Sequence, residues 1–208
     1  MEQRTPDWRA ARLGKATSSR IADIVARTKS GYSTSRANYA AELICERLTG
    51  AAAEGFVSAA MAWGVEKEPE ARRLYAFEQD VGVSTVGFLD HPRVPMAGAS
   101  PDGLVGAEGL VEVKCPITAT HLDTLLGQAI PGRYLTQMQW QMAVTGRSWC
   151  DFVFYDPRLP AHLRLFVRRV PRDAILIAAL EAEVARFLAD IEATLAKLQG
   201  LARQDEAA

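Results

Sequence analysis

Three charged residues lying close together carry the chemistry this chain could perform. Asp102 follows Ser100-Pro101 and precedes Gly103; ten residues after it, Glu112-Val113-Lys114 places a carboxylate and an ammonium two positions apart. Gly103, Gly106 and Gly109 punctuate two short extended runs, Leu104-Val105 and residues 110–115, which together read as a hairpin. Side chains alternate along a strand, so Glu112 and Lys114 share one face while Val111, Val113 and Cys115 line the other. Hard cations such as Mg²⁺ take oxygen ligands, typically one or two carboxylates plus substrate phosphate. Asp102 and Glu112 supply such oxygens, and the Val113 backbone carbonyl could supply a third. A bound cation acidifies a water and offsets charge on a phosphate. Lys114, a compact ammonium, could orient that water and balance an anionic transition state. On these residues alone, a surface hairpin with an exposed ion pair is the simpler reading.

The elements that must position this group are legible in outline. Residues 8–13 read as a short helix, and Ser18 or Ser19 as the cap of a second helix running to 26. Residues 35–48 form a longer helix closed by Gly50. A helical pattern over 58–79 is expected to break near Pro69. Residues 83–89 and 94–99 read as extended and lead into the hairpin. Helices over 122–126 and 134–144 and strands over 149–155 and 163–170 follow. Leu180, Val184, Phe187, Ile191, Leu195 and Leu198 recur at helical spacing and predict a long amphipathic C-terminal helix, its stripe a packing surface. Helices before and after a central mixed β-sheet make an α/β fold. The polar tail over 203–208 is expected to fray.

Composition restricts the function classes. A chain of 208 residues, 49% hydrophobic, suits one domain with a sizeable core. No apolar run spans a membrane and no secretory signal opens the chain, so a cytoplasmic location is expected. Cys45, Cys115 and Cys150 at unrelated spacings suggest neither disulfides nor zinc. His91, His121 and His162 are scattered and read as packing or surface residues. The net charge of −1 conceals an asymmetry. From position 4 to 36, eight Lys or Arg face two Asp, a local balance of +6 that leaves −7 on the remainder. Such a distribution suits a protein that meets phosphate on one side, although solvated helix faces account for several of these arginines. The stretch Lys29-Ser30-Gly31-Tyr32-Ser33 reads as a flexible basic loop that could grip a DNA backbone, with Lys29 its cation.

Longer strings place the hairpin in a context. Trp8 precedes Arg12-Leu13-Gly14 and Thr17-Ser18-Ser19; Ala62-Trp63-Gly64 precedes Glu68 and Ala71-Arg72. Ser100-Pro101-Asp102-Gly103-Leu104, Glu112-Val113-Lys114-Cys115-Pro116, Tyr134 with Gln137-Met138-Gln139, and Tyr155-Asp156-Pro157-Arg158 complete the series. In this order, from Trp8 to Arg158, the strings resemble the lambda-type (YqaJ-like) phage recombination exonucleases of the PD-(D/E)xK nuclease superfamily. The resemblance implies a restriction-endonuclease-like core with a central mixed sheet flanked by helices. It also implies one nuclease domain over 1–208: a basic helical segment over 1–50, a catalytic core over about 58–170 and a terminal helix over about 172–200.

The resemblance further implies an Mg²⁺-dependent, processive 5′-to-3′ exonuclease on linear double-stranded DNA, releasing 5′-mononucleotides. Asp102, Glu112, Lys114 and Glu68 would be catalytic, with two Mg²⁺ per site, Mn²⁺ able to substitute, and Glu68 serving the second metal. Spacing alone does not choose among Glu66, Glu68 and Glu70; the Trp-Gly-x-x-x-Glu pattern selects Glu68. Arg12, Ser19, Ser100 and Gln137 map onto a pocket for a terminal 5′-phosphate, with Lys15 a weaker neighbour. A guanidinium with hydroxyl and amide donors suits that ligand, and Ser19 near a helix start would add backbone amides. Singly, Ser19 reads equally well as a plain cap and Gln137 as an ordinary helix residue. A homotrimeric ring and a single-strand annealing partner are also implied, with a phage or prophage origin. Another PD-(D/E)xK endonuclease, a catalytically silent DNA-end clamp and, more distantly, a small-molecule hydrolase remain alternatives. Cutting of closed circular duplex would favour the first, and absence of Mg²⁺-dependent nucleotide release the second.

Overall fold

The computed structural model describes residues 2–52 and 58–205, with side chains described as far as Leu201. Helix α1 (Pro6–Arg12) is capped by Thr5, whose hydroxyl accepts from the Trp8 amide. Strand β1 (Ala16–Thr17) leads through a 3-10 turn at Ser18–Arg20 into α2 (Ile21–Val25), followed by β2 (Arg27–Thr28), β3 (Gly31–Tyr32) and α3 (Thr34–Thr49). Helix α3 ends at Gly50, whose φ of 67° is the left-handed cap that glycine adopts without a Cβ penalty. Helix α4 (Ala59–Glu78) starts at Ser58, whose hydroxyl accepts from the Met61 amide. Then come β4 (Val83–Ser84), β5 (Leu89–Asp90), β6 (Ala97–Ala99), β7 (Gly103–Val105), β8 (Gly109–Lys114), α5 (Thr118–Gly127) and α6 (Gly132–Thr145). The chain continues through β9 (Trp149–Tyr155) and β10 (Leu165–Pro171) into α7 (Ala174–Asp205).

Five strands form a mixed sheet in the order β10-β9-β8-β7-β4. Only β8 and β9 run parallel, in register Val111↔Asp151 and Glu112↔Phe152, and the crossover between them carries α5 and α6. A second sheet, β1-β6-β5, sets β1 parallel to β6. Alternation along β8 divides the core. Leu110 joins Met138 and Met142 of α6 on one face of the sheet, while Val111, Val113 and Cys115 join Ala71 and Tyr75 of α4 on the other. A third cluster gathers α2, α3 and α7 around Tyr39, Trp140, Val184, Phe187 and Ile191. The amphipathic stripe read on α7 is thus core, apart from Leu198 near its end, which is 38% exposed. Among the described residues no helix is long and apolar enough to cross a membrane.

Four expectations need correction. Helix α4 is continuous through Pro69. The hydrogen bond lost there belongs to the carbonyl of Val65, an exposed residue, so water can replace it. Neither Ser18 nor Ser19 caps a helix; both lie in the 3-10 turn, and α2, only five residues long, has Arg20 at its N-cap without a side-chain bond. Lys29 sits at the tip of a two-stranded hairpin rather than in a free loop. That hairpin is anchored to α7, because Tyr32 and Arg27 both donate to Glu183. Finally, α7 extends through 203–205, where a frayed tail was expected; 206–208 lie outside the described residues.

Candidate active site

The hairpin β7–β8 assembles the charged group. Asp102 stands immediately before β7, and its Oδ2 accepts the Val113 amide at 2.8 Å, fixing the carboxylate against β8. The glycine that follows is required by space: a Cβ on Gly103 would lie 2.3 Å from Val83 and 2.9 Å from Val111. Glu112, with no exposed surface, points to the α6 side of the sheet. Gln137 and Gln141, one helical turn apart on α6, each donate to a different Glu112 oxygen at 2.6 Å. Lys114 pairs with the same carboxylate. Helix α4 contributes Glu68, buried and paired with Arg4 and Arg72; Arg72 Nη1 lies 3.0 Å from Glu68 and also donates to the Asp102 carbonyl at 2.8 Å.

The electrostatics follow from three carboxylates sharing little water. Burial, and then the negative charges of Glu112 and Glu68, hold the Asp102 carboxyl well above its ordinary range; Lys114 and the Val113 amide offset this only in part. Desolvation would lower the Lys114 ammonium, but Glu112 and Asp102 outweigh it and hold it above its usual value. Lys114 is thus favoured as a cation and hydrogen-bond donor beside these carboxylates. Burial pushes the Cys115 thiol up to about 12, so it stays protonated and is a poor ligand or nucleophile. Asp102, Glu112 and Glu68 supply hard oxygen donors to one cavity, and a cation would relieve their crowding. Among the described residues no cage of three or more His, Cys, Asp or Glu is preformed.

One cavity of about 210 Å³ joins nearly all of the residues singled out in the sequence. Asp102, Glu112, Val113, Lys114 and Glu68 line it together with Arg12, Ser19, Ser100 and Gln137. Arg12 stacks 3.9 Å from the Trp8 ring centroid, and the negative charge of Glu46 acts on its guanidinium. Ser100 accepts from the Trp8 indole at 2.9 Å. Gln137 enters the cavity with its amide donating to Glu112. Ser19 is exposed in the 3-10 turn that leads into α2, so it lies near a helix start without capping it. Lys15 does not line this cavity. It borders an adjoining one and is paired with Asp90 at 2.6 Å. The basic N-terminal segment is also less free than its composition suggests, since Arg4, Lys15, Arg20, Arg27 and Arg36 all pair with acidic residues.

Four residues of this site escaped the sequence reading as functional: Gln3, Arg4, Arg72 and Gln141. Gln141 had a signal, the i, i+4 spacing of two glutamines among the apolar residues of α6. Arg72 had one too, four residues after Glu68. Arg4 was legible only as one of the basic residues of the N-terminal segment, and Gln3 had no signal, because both reach the cavity through the path of the chain.

A mixed sheet with helices on both faces, carrying Asp102, Glu112 and Lys114 on one hairpin, is the PD-(D/E)xK nuclease fold. The chain belongs to the YqaJ-like viral recombinase domain family, whose model matches residues 7–148. An alkaline exonuclease (LHK-Exo) from Laribacter hongkongensis is 50% identical, with a TM-score of 0.90 over 96% of this chain and 99% of that one. A further structure of that enzyme, in complex with dAMP, matches equally well. A phage-related exonuclease from Haemophilus somnus shares the fold at 16% identity, with a TM-score of 0.73 over 88% of this chain and 96% of its own. Uncharacterized protein R354 of Acanthamoeba polyphaga mimivirus is 30% identical over 93 residues, which cover 38% of this chain and 17% of that protein.

Proposed function

We propose that this DNA exonuclease enters linear duplex at an end, removes the 5′-terminated strand as mononucleotides, and leaves a 3′ single strand for an annealing partner. The observation that carries the reading is the single cavity in which the Asp102, Glu112 and Lys114 group meets Arg12, a guanidinium stacked on the Trp8 ring. A terminal 5′-phosphate would pair with Arg12, with Ser19 and Ser100 offering hydroxyls and Gln137 its amide. Holding that end would leave the following phosphodiester beside Asp102. Mg²⁺, two ions per site with Mn²⁺ able to substitute, would activate water and offset charge on the phosphate. Asp102, Glu112 and the Val113 carbonyl would hold one ion and Glu68 the other.

The remaining work falls to side chains. Lys114, an ammonium paired with Glu112, would orient the attacking water and donate to the phosphate oxygens. Gln137 and Gln141 keep Glu112 aimed into the cavity without neutralising it. Contacts to phosphate and metal would make cutting indifferent to base sequence. We further propose a homotrimeric ring, whose enclosure of DNA would give processivity, acting in the cytoplasm of a bacterial host. Digestion of linear duplex labelled at either the 5′ or the 3′ terminus, with Mg²⁺ or EDTA, tests the central claim. Early Mg²⁺-dependent release of the 5′ label as mononucleotide is expected. First release of the 3′ label, or cutting of closed circular duplex, would overturn it.

A further inference from the structure

The short strap before α1 is built into the catalytic cavity, and none of the assignments above uses it. Gln3 Nε2 donates to the carbonyls of Val86 at 2.9 Å and Pro101 at 2.8 Å, the latter adjacent to Asp102. Arg4 follows with φ 68°, a left-handed backbone that an L-residue rarely adopts. Thr5 then caps α1, and Trp8 is tied to Ser100. The chain is held on both sides of Arg4, and its unusual backbone aims the guanidinium at Glu68 Oε2.

Glu68 is thereby shared by two guanidiniums, and they are not equivalent. Arg72, whose side chain is 20% exposed, is fixed by its second bond to the Asp102 carbonyl. Arg4, 42% exposed at the cavity mouth, has no other hydrogen bond among the described residues. Two positive charges on one carboxylate would repel an incoming divalent cation, so one must leave, and Arg4 is the one free to do so.

We propose that Arg4 is an exchangeable counter-ion: it neutralises Glu68 in the resting cavity and moves to a DNA phosphate when a divalent cation takes its place. Charge pairing is kept throughout, because the cation replaces the guanidinium on Glu68 and the phosphate replaces Glu68 on the guanidinium. The inference rests on the reading that Glu68 belongs to the metal-binding group.

Fluorescence anisotropy of a 5′-phosphorylated duplex, with EDTA and with Ca²⁺, tests it on the full chain and on Arg4→Ala and Arg4→Lys. Arg4→Ala should bind as the parent does in EDTA and about tenfold more weakly in Ca²⁺, the loss of one charge-assisted contact. Arg4→Lys should recover part of that loss. Hydrogen exchange over residues 2–5 of the parent should rise when Ca²⁺ is added without DNA. Equal weakening in both buffers, no weakening in either, or unchanged exchange would make Arg4 a static structural pair and overturn the proposal. A Glu68→Gln chain whose Ca²⁺ affinity by calorimetry matched the parent would instead remove Glu68 from the metal-binding group, overturning the reading beneath it.

Discussion

Two buried carboxylate sites lie on neighbouring parallel strands and have opposite surroundings. Asp151 on β9, 2% exposed, receives both arms of Arg169 at 2.8 and 2.9 Å and the Tyr75 hydroxyl at 2.7 Å. Its single charge is matched and no open space adjoins it in the cavities described above. Glu112 on β8 is equally buried and well bonded, yet it shares its cavity with Asp102 and Glu68. There Asp102 is held well above its ordinary range, by burial first and then by its neighbours. The same residue types thus do different work according to their count and neighbours. A carboxylate enclosed by its partners locks a sheet, whereas carboxylates gathered beside open space, with Lys114, Arg4 and Arg72 around them, are placed where they can exchange a partner for a cation. Helix α4 serves both, with Tyr75 at one site and Glu68 at the other.

The contrast can be broken most severely at Lys114. Lys114→Ala should reduce release of end label by about 10³-fold, the scale for losing a charged donor to the transition state. Its duplex affinity should stay close to the parent's; substantial residual turnover would count against the assignment. At the other site, Arg169→Ala leaves the buried Asp151 to the Tyr75 hydroxyl and, since Arg169 is itself half exposed, should cost about 1 to 2 kcal/mol in urea unfolding, with activity per folded molecule retained. Asp102→Asn should do the reverse, abolishing activity while raising the thermal midpoint, because it relieves crowding. Arg12→Ala should lower the preference for 5′-phosphorylated over 5′-hydroxyl ends by about tenfold; an unchanged ratio would remove it from the pocket.

The smallest effect is expected at a third polar cluster, away from both. His91, its ring buried against Trp140, accepts the Arg93 and Val94 amides and faces Glu181. Burial holds its pKa below the ordinary 6.5, with Glu181 opposing and Arg93 reinforcing the shift. Protonation therefore favours the unfolded chain. This contribution to stability is complete above the ordinary histidine value and is lost as pH falls below it towards the folded-state pKa. His91→Gln should flatten that acid limb of the unfolding curve without shifting the pH profile of cutting.

The sequence was most readable where a local rule and a structural need coincide. Gly50 ends α3 because a left-handed cap favours glycine, and β9 occupies 149–155 as expected because its apolar run lies inside the sheet. Pro69 was misread because a local helix breaker is tolerated where the residue whose carbonyl loses its partner, Val65, is exposed. The basic N-terminal segment was legible only as a count of charges, because composition does not show their partners; Lys15 belongs to Asp90, and Arg27 to Glu183 far along the chain.

Residue order alone was enough to place Asp102, Glu112 and Lys114 on one hairpin, since strand alternation and spacing are short-range properties written directly into the chain; the family came from the resemblance of the longer strings, and its model matches residues 7–148. The cavity was not, because Arg12, Glu68 and Gln137 come from three separate helices and meet only after the sheet has packed against them. Nor could spacing reveal that Arg4 reaches Glu68, a contact across 64 positions made by the path of the backbone. Which charges are matched and which are left crowded is a property of distances in space, and those arise only on folding.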